Sequence, residues 1–114
     1  MERDSNCIFC KIINKEIPGK FALEKDEYVA LYDINPQAPT HALIIPRQHV
    51  RNITEFKDAA SLGKLFQAAN ELVEMHKLQD GFRLVVNTGD SGGQTVDHLH
   101  IHLLGGRGLS WPPG

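Results

Sequence analysis

The chain has 114 residues, 41% of them hydrophobic and 23% charged, with a formal net charge of −2 when its histidines are neutral. Those values describe one domain over 1–114 with a single modest core, and they exclude a field that would draw in nucleic acid or an anionic membrane, so an anionic ligand must be met by local donors. No apolar run approaches the roughly 18 residues of a membrane-spanning helix, and the polar stretch from Met1 to Asn6 has no signal-peptide core behind it, so a cytoplasmic address is expected.

In that compartment Cys7 and Cys10 stay reduced, and Cys7-Ile8-Phe9-Cys10 reads as a metal half-site or two plain thiols rather than a disulfide. From Cys7 to Asn14 a short amphipathic helix is predicted, with Ile8, Phe9, Ile12 and Ile13 on its apolar side. Ile17-Pro18-Gly19 ends it, since proline lacks a donor and glycine permits the turn. Phe21 to Glu24 and Tyr28 to Tyr32 read as strands around the polar turn Lys25-Asp26-Glu27. Asp33 to Thr40 holds two prolines and reads as a loop, followed by a third strand from His41 to Ile45 that stops at Pro46. Asp58 is a candidate cap for a long helix in which Leu62, Leu65, Phe66, Ala69, Leu72, Val73 and His76 recur at spacings of three and four. Gly81 closes that region. Phe82 to Asn87 is a fourth strand, Gly89-Asp90-Ser91-Gly92-Gly93 a glycine-rich loop, and the fifth strand is expected near Val96 to Leu104. The order gives an α+β fold, a five-stranded antiparallel sheet with two helices, both expected on one side.

The segment with the most chemistry is His98-Leu99-His100-Ile101-His102-Leu103. In extended chain Leu99, Ile101 and Leu103 share one face and the three histidines the other, about 6.5–7 Å apart. Strand propensity does not ask for histidine at three successive positions of one face, where threonine or lysine would serve. Histidine serves as metal ligand, acid–base group or nucleophile, and its ordinary pKa of about 6.5 leaves neutral imidazole available at cellular pH. The preceding Gly92-Gly93-Gln94-Thr95 suits a phosphate, with glycine amides able to approach an anion and two neutral side-chain donors behind them.

These residues resemble the histidine triad (HIT) superfamily, and within it the Hint branch of nucleoside phosphoramidases. The resemblance runs over nearly the whole chain. It is carried by Gly92 through His102, by Phe9-Cys10-Lys11-Ile12-Ile13 with Glu16-Ile17-Pro18, by Asp33 through His41, by Leu104-Gly105-Gly106-Arg107 and by Trp111-Pro112-Pro113-Gly114. It implies a nucleotide hydrolase that cleaves purine nucleoside 5′-phosphoramidates or related conjugates of AMP or GMP through a covalent nucleotidyl-histidine. His100 would be the nucleophile, its other ring nitrogen oriented by a backbone carbonyl. His102 would contact the phosphate and leaving group, and His98 would support His100, with His41 nearby. Gln94 and Thr95 would hold phosphate oxygens and Asn87 would line the phosphate site. Asp33 would bind the ribose hydroxyls with Ile34 against the sugar, and Ile8, Phe9, Ile12 and Leu31 would form the base slot. The resemblance further implies a homodimer whose two sheets join into ten strands, the Trp111 tail reaching toward the partner's site.

Departures from the common Hint pattern are Thr95 for serine, Asp97 for an apolar or aromatic residue, Leu31 for an aromatic one, and Ser110 in the tail. Some HIT members bind zinc at the N-terminal cysteines. The corresponding set here is Cys7, Cys10, His49 and His98, a four-ligand and therefore structural site, with no metal required for the chemistry. The alternatives are a dinucleoside polyphosphate hydrolase, a metallohydrolase with a metal held by triad histidines, and a nucleotide-binding regulatory module with little activity. His76, on the apolar side of the long helix, reads as a packed or interface histidine.

Overall fold

A computed structural model describes residues 6–114. Met1 to Ser5, read above as part of a polar lead, lie outside the described residues. The elements are α1 (Ile8–Ile13), β1 (Phe21–Glu24), β2 (Tyr28–Tyr32), β3 (Thr40–Pro46), α2 (Ala59–His76), β4 (Phe82–Val85) and β5 (Ile101–Gly105), with 3-10 turns at Ile53–Glu55 and Asp90–Gly92. The five strands form one sheet in the order β1-β2-β3-β5-β4, every pairing antiparallel. This is the α+β fold expected from the sequence.

The two helices lie on opposite faces of the sheet, not on one. Ala30, Ala42, Ile44, Ile101 and Leu103 pack with Leu65, Ala68, Ala69 and Leu72 of α2. Val29, Leu31, Leu43 and Ile45, their alternates along β2 and β3, pack with Phe9, Cys10 and Ile13 of α1. A strand buried on both faces reads as a continuous apolar run, and Ala42-Leu43-Ile44-Ile45 is one. The α1 face is covered by only six helical residues, so it leaves the ground between α1 and the ends of β2, β3 and β5 open for a site.

Local signals explain the helix ends. The Asp58 carboxylate accepts from the Ser61 amide and caps α2. The helix ends at His76 because Lys77 takes the left-handed conformation (φ 56°), upstream of the expected glycine. The α1 cap is the Cys7 sulfur, which accepts from the Cys10 amide at 3.4 Å.

β4 stops at Val85 rather than Asn87, and β5 begins at Ile101 rather than Val96. The segment before β5 leaves the ladder because its amides are used elsewhere. The His98 amide donates to the Val96 carbonyl and the Leu99 amide to the Val50 carbonyl. The alternation of faces nevertheless persists: Leu99, Ile101 and Leu103 sit in the α2-side core, while His98 and His100 meet Phe9 of α1 edge to face. Only His102 of the three histidines lies within a paired strand, opposite Leu43 and Val85.

Candidate active site

Two groups of histidines converge on the α1 side of the sheet. The first joins Cys7 and Cys10 of the α1 cap region to His49, just past β3, and His98. Their four ligand atoms lie within 4.8 Å of one another. His98 Nδ1 is 3.3 Å from Cys7 Sγ, 3.6 Å from Cys10 Sγ and 3.1 Å from His49 Nδ1, and His49 Nδ1 is 3.4 Å from Cys10 Sγ. Tetrahedral zinc, with Zn–S of about 2.3 Å and Zn–N of about 2.0–2.1 Å, sets N···S edges of about 3.6 Å and an N···N edge of about 3.3 Å. The donor set fits that ion in type and spacing. The remaining ring nitrogen of His98, Nε2, donates to the Pro46 carbonyl at 2.8 Å, which turns the Nδ1 lone pair toward the sulfurs. Burial pushes the His98 pKa down to about 4, against the Pro46 bond, so the ring is neutral as a ligand must be.

The second group is His41, His100 and His102. His100 is buried, and its Nδ1 donates to the His98 carbonyl at 2.7 Å, leaving Nε2 as the lone-pair nitrogen. Burial lowers its pKa, which keeps that lone pair available at neutral pH. His41 accepts from the Gln37 amide at Nδ1 (3.0 Å), so its proton must sit on Nε2. That Nε2–H faces His102 Nδ1 at 2.9 Å and, more weakly, Asp33 Oδ2 at 3.5 Å. His102 therefore accepts at Nδ1 and carries its own proton on Nε2. Burial first, then the neighbouring His100 and His41, hold its pKa down to about 4, with Asp33 opposing. The register explains the contact. His102 pairs with Leu43 across the ladder, so His41 is its diagonal neighbour on the same face, within reach of long side chains. The rings of His100 and His102 are 5.0 Å apart. The arrangement thus sets an imidazole lone pair beside an imidazole N–H donor.

Both rings open on a cleft of about 260 Å³. Ile8, Phe9, Ile12, Leu31, Asp33, Ile34 and Thr95, all singled out from the sequence, line it with His100 and His102. Gly19 and Leu43 line it too and were not foreseen. A Cβ on Gly19 would lie 2.5 Å from Ile12 Cγ2, so this glycine lets the Pro18-Gly19 turn close onto the slot. Pro18, Lys20, Tyr32 and Val96 complete the lining. A larger depression of about 540 Å³ between Lys77–Arg83 and Gly106–Leu109 contains none of the histidines.

Other residues fall elsewhere. His98 and His41 stand behind the cleft wall, and His41 contacts His102 rather than His98. Asn87, past the end of β4, is not part of the lining. The Gln94 side chain is committed to its own loop. Its Oε1 accepts from the Gly89 amide at 2.9 Å, and its Nε2 donates to the Arg51 and Val96 carbonyls at 2.6 and 2.9 Å. It braces the Gly89–Gly93 turn, where Gly89 and Gly93 take positive φ of 72° and 82°, instead of offering its amide to a phosphate. Ile34 is 99% exposed and Trp111 83%, two apolar side chains that no described residue covers. His76 is neither a ligand nor part of the cleft and meets the Tyr32 hydroxyl at Nε2 across 2.7 Å.

The HIT domain family model matches residues 14–109. An uncharacterized HIT-like protein of Synechococcus elongatus is 50% identical over 109 residues, 94% of this chain and 96% of that protein. The 14 kDa zinc-binding protein of Zea mays is 47% identical over 116 residues, 97% of this chain and 90% of that one. A HIT family hydrolase from Legionella pneumophila has the same fold at a TM-score of 0.92 and 46% identity, covering 96% of this chain and all of that one.

Proposed function

The chain belongs to the HIT domain family, and from that premise we propose that it is a nucleotide hydrolase that cleaves purine nucleoside 5′-phosphoramidates or related conjugates of AMP or GMP. The observation that carries this reading is the bond from His100 Nδ1 to the His98 carbonyl, which leaves Nε2 as a neutral nucleophile in a residue that lines the cleft. The lone pair on Nε2 attacks the α-phosphorus. The bond from phosphorus to the leaving amine breaks, and the amine departs with its electron pair and a solvent proton. Water then attacks the phosphorus, releases His100 and the nucleoside monophosphate, and returns a proton to solvent. His102 Nε2–H donates to a phosphate oxygen where charge develops. Apolar Ile8, Phe9, Ile12 and Leu31 stack on a purine without reading its edge, Asp33 takes the ribose hydroxyls, and Thr95 donates to the phosphate.

The Cys7, Cys10, His49 and His98 cluster is assigned to a structural zinc, supported by its spacing and by the zinc-binding relative in Zea mays. Bound there, zinc would supply rigidity to His98, whose carbonyl orients the nucleophile; with four protein ligands no position stays open for water. The homodimer is supported by β4, an end strand of the sheet, and by exposed Phe66, Met75 and Phe82.

The test is AMP release from adenosine 5′-phosphoramidate by the wild type and by folded His100→Ala. Turnover that vanishes in the variant, with a nucleotidylated protein trapped in the wild type, supports the reading. A folded wild type that binds AMP but turns nothing over moves the chain to a binding module.

A further inference from the structure

We propose that the site accepts a nucleotide carrying a second phosphate on its ribose, at the 2′ or 3′ oxygen, and that Lys20 and Tyr32 hold that phosphate, with His76 positioning the Tyr32 hydroxyl. The proposal deepens the nucleotide reading above and rests on it. A pocket of about 380 Å³ adjoins the cleft on the α2 side and shares Lys20, Tyr32 and Asp33 with it. Asp33, which takes the ribose hydroxyls in that reading, lies on the border between the two. A substituent on those oxygens is therefore directed over Asp33 into the second pocket.

The donors there suit an anion. The Lys20 ammonium rests over the Tyr32 ring, 5.6 Å from its centroid, and among the described residues no carboxylate lies within ion-pair reach of it. The Tyr32 hydroxyl meets His76 Nε2 at 2.7 Å, with the rings edge to face. In one His76 tautomer the hydroxyl donates to Nε2; in the other, Nε2–H donates to the Tyr32 oxygen, and the phenolic hydrogen turns to a phosphate in the pocket. The Asp33 carboxylate opposes an anion, with Oδ1 accepting from the Asn35 amide and Oδ2 facing His41.

Calorimetry with AMP, adenosine 3′,5′-bisphosphate and adenosine 2′,5′-bisphosphate tests this. One bisphosphate is expected to bind the wild type about tenfold tighter than AMP, the scale of one charge-assisted contact at a half-exposed site. Lys20→Ala removes that preference and Lys20→Arg keeps it. His76→Leu, checked for an unchanged melting temperature, leaves AMP affinity as it was and lowers the bisphosphate preference. AMP binding with neither bisphosphate any tighter, or a preference that survives in Lys20→Ala, overturns the subsite and leaves the nucleotide reading standing. A protein that binds none of the three overturns both.

Discussion

Replacing His41 by leucine tests the tautomer argument most directly. The ring is 5% exposed and stands behind the cleft rather than in its lining. It accepts from the Gln37 amide and donates to His102 Nδ1, so leucine leaves one backbone donor and one imidazole acceptor without their partners. An unmet group costs about 1–3 kcal/mol when buried, and less at the part-buried amide of exposed Gln37. The His102 share falls on catalysis, because the proton on its ring is no longer confined to Nε2. At about 1.4 kcal/mol per tenfold, kcat should fall roughly 5- to 150-fold. The Gln37 share falls on stability, at about 4–8 °C in melting temperature per kcal/mol for a domain of this size. KM should move less than kcat. The assay is steady-state hydrolysis of adenosine 5′-phosphoramidate, paired with imidazole 15N shifts that report the His102 tautomer. His41→Gln, which keeps an N–H donor, should recover part of kcat. A folded His41→Leu with kcat within about twofold of wild type, or an unaltered His102 tautomer, refutes the reasoning.

Zinc removal should act on stability before chemistry. A chelator should lower the wild-type melting temperature by about 10–20 °C, as expected if zinc at a hundredfold excess over its dissociation constant contributes about 2.7 kcal/mol. It should leave a Cys7→Ala, Cys10→Ala double variant unmoved, and a wild type without metal by elemental analysis and insensitive to chelator would remove the assignment. Stability should also fall in acid. The folded pKa of His102 is about 4 against an ordinary 6.5, and those of His100 and His41 are lowered too. The unfolded chain therefore takes up protons first. The contribution is fully present above pH 6.5 and is lost between 6.5 and about 4, which urea unfolding across that range measures. Activity should likewise hold below pH 6.5, where an exposed histidine nucleophile would already be protonated. Gly105→Ala should destabilise by about 1–3 kcal/mol through overpacking, read as a lower melting temperature. The added Cβ would sit 2.8, 3.0 and 3.2 Å from Leu78 side-chain atoms in the core.

Local chemistry determined much of this protein. The three-and-four spacing of Leu65, Ala69, Leu72 and Val73 specifies α2, and alternation around Ile101 and Leu103 puts the triad on the face opposite the α2-side core. That alternation held even though His98 and His100 precede the paired strand. The C-x-x-C pair and the triad were legible because their spacing is short. Tertiary structure decided what depends on residues far apart in the chain. The β3–β5 register makes His41 the partner of His102, and so settles which nitrogen of each ring bears the proton. The Pro46 carbonyl takes the second nitrogen of His98, and three backbone groups use up the Gln94 amide, which glycine-loop composition alone suggested for phosphate. Burial of both faces of β3 sent the helices to opposite sides, where one apolar run has no period to reveal a side. The meeting of Lys20, Tyr32 and His76 has no local signature at all, because only the packing of α2 against the end of β2 brings that helix terminus to the edge of the cleft.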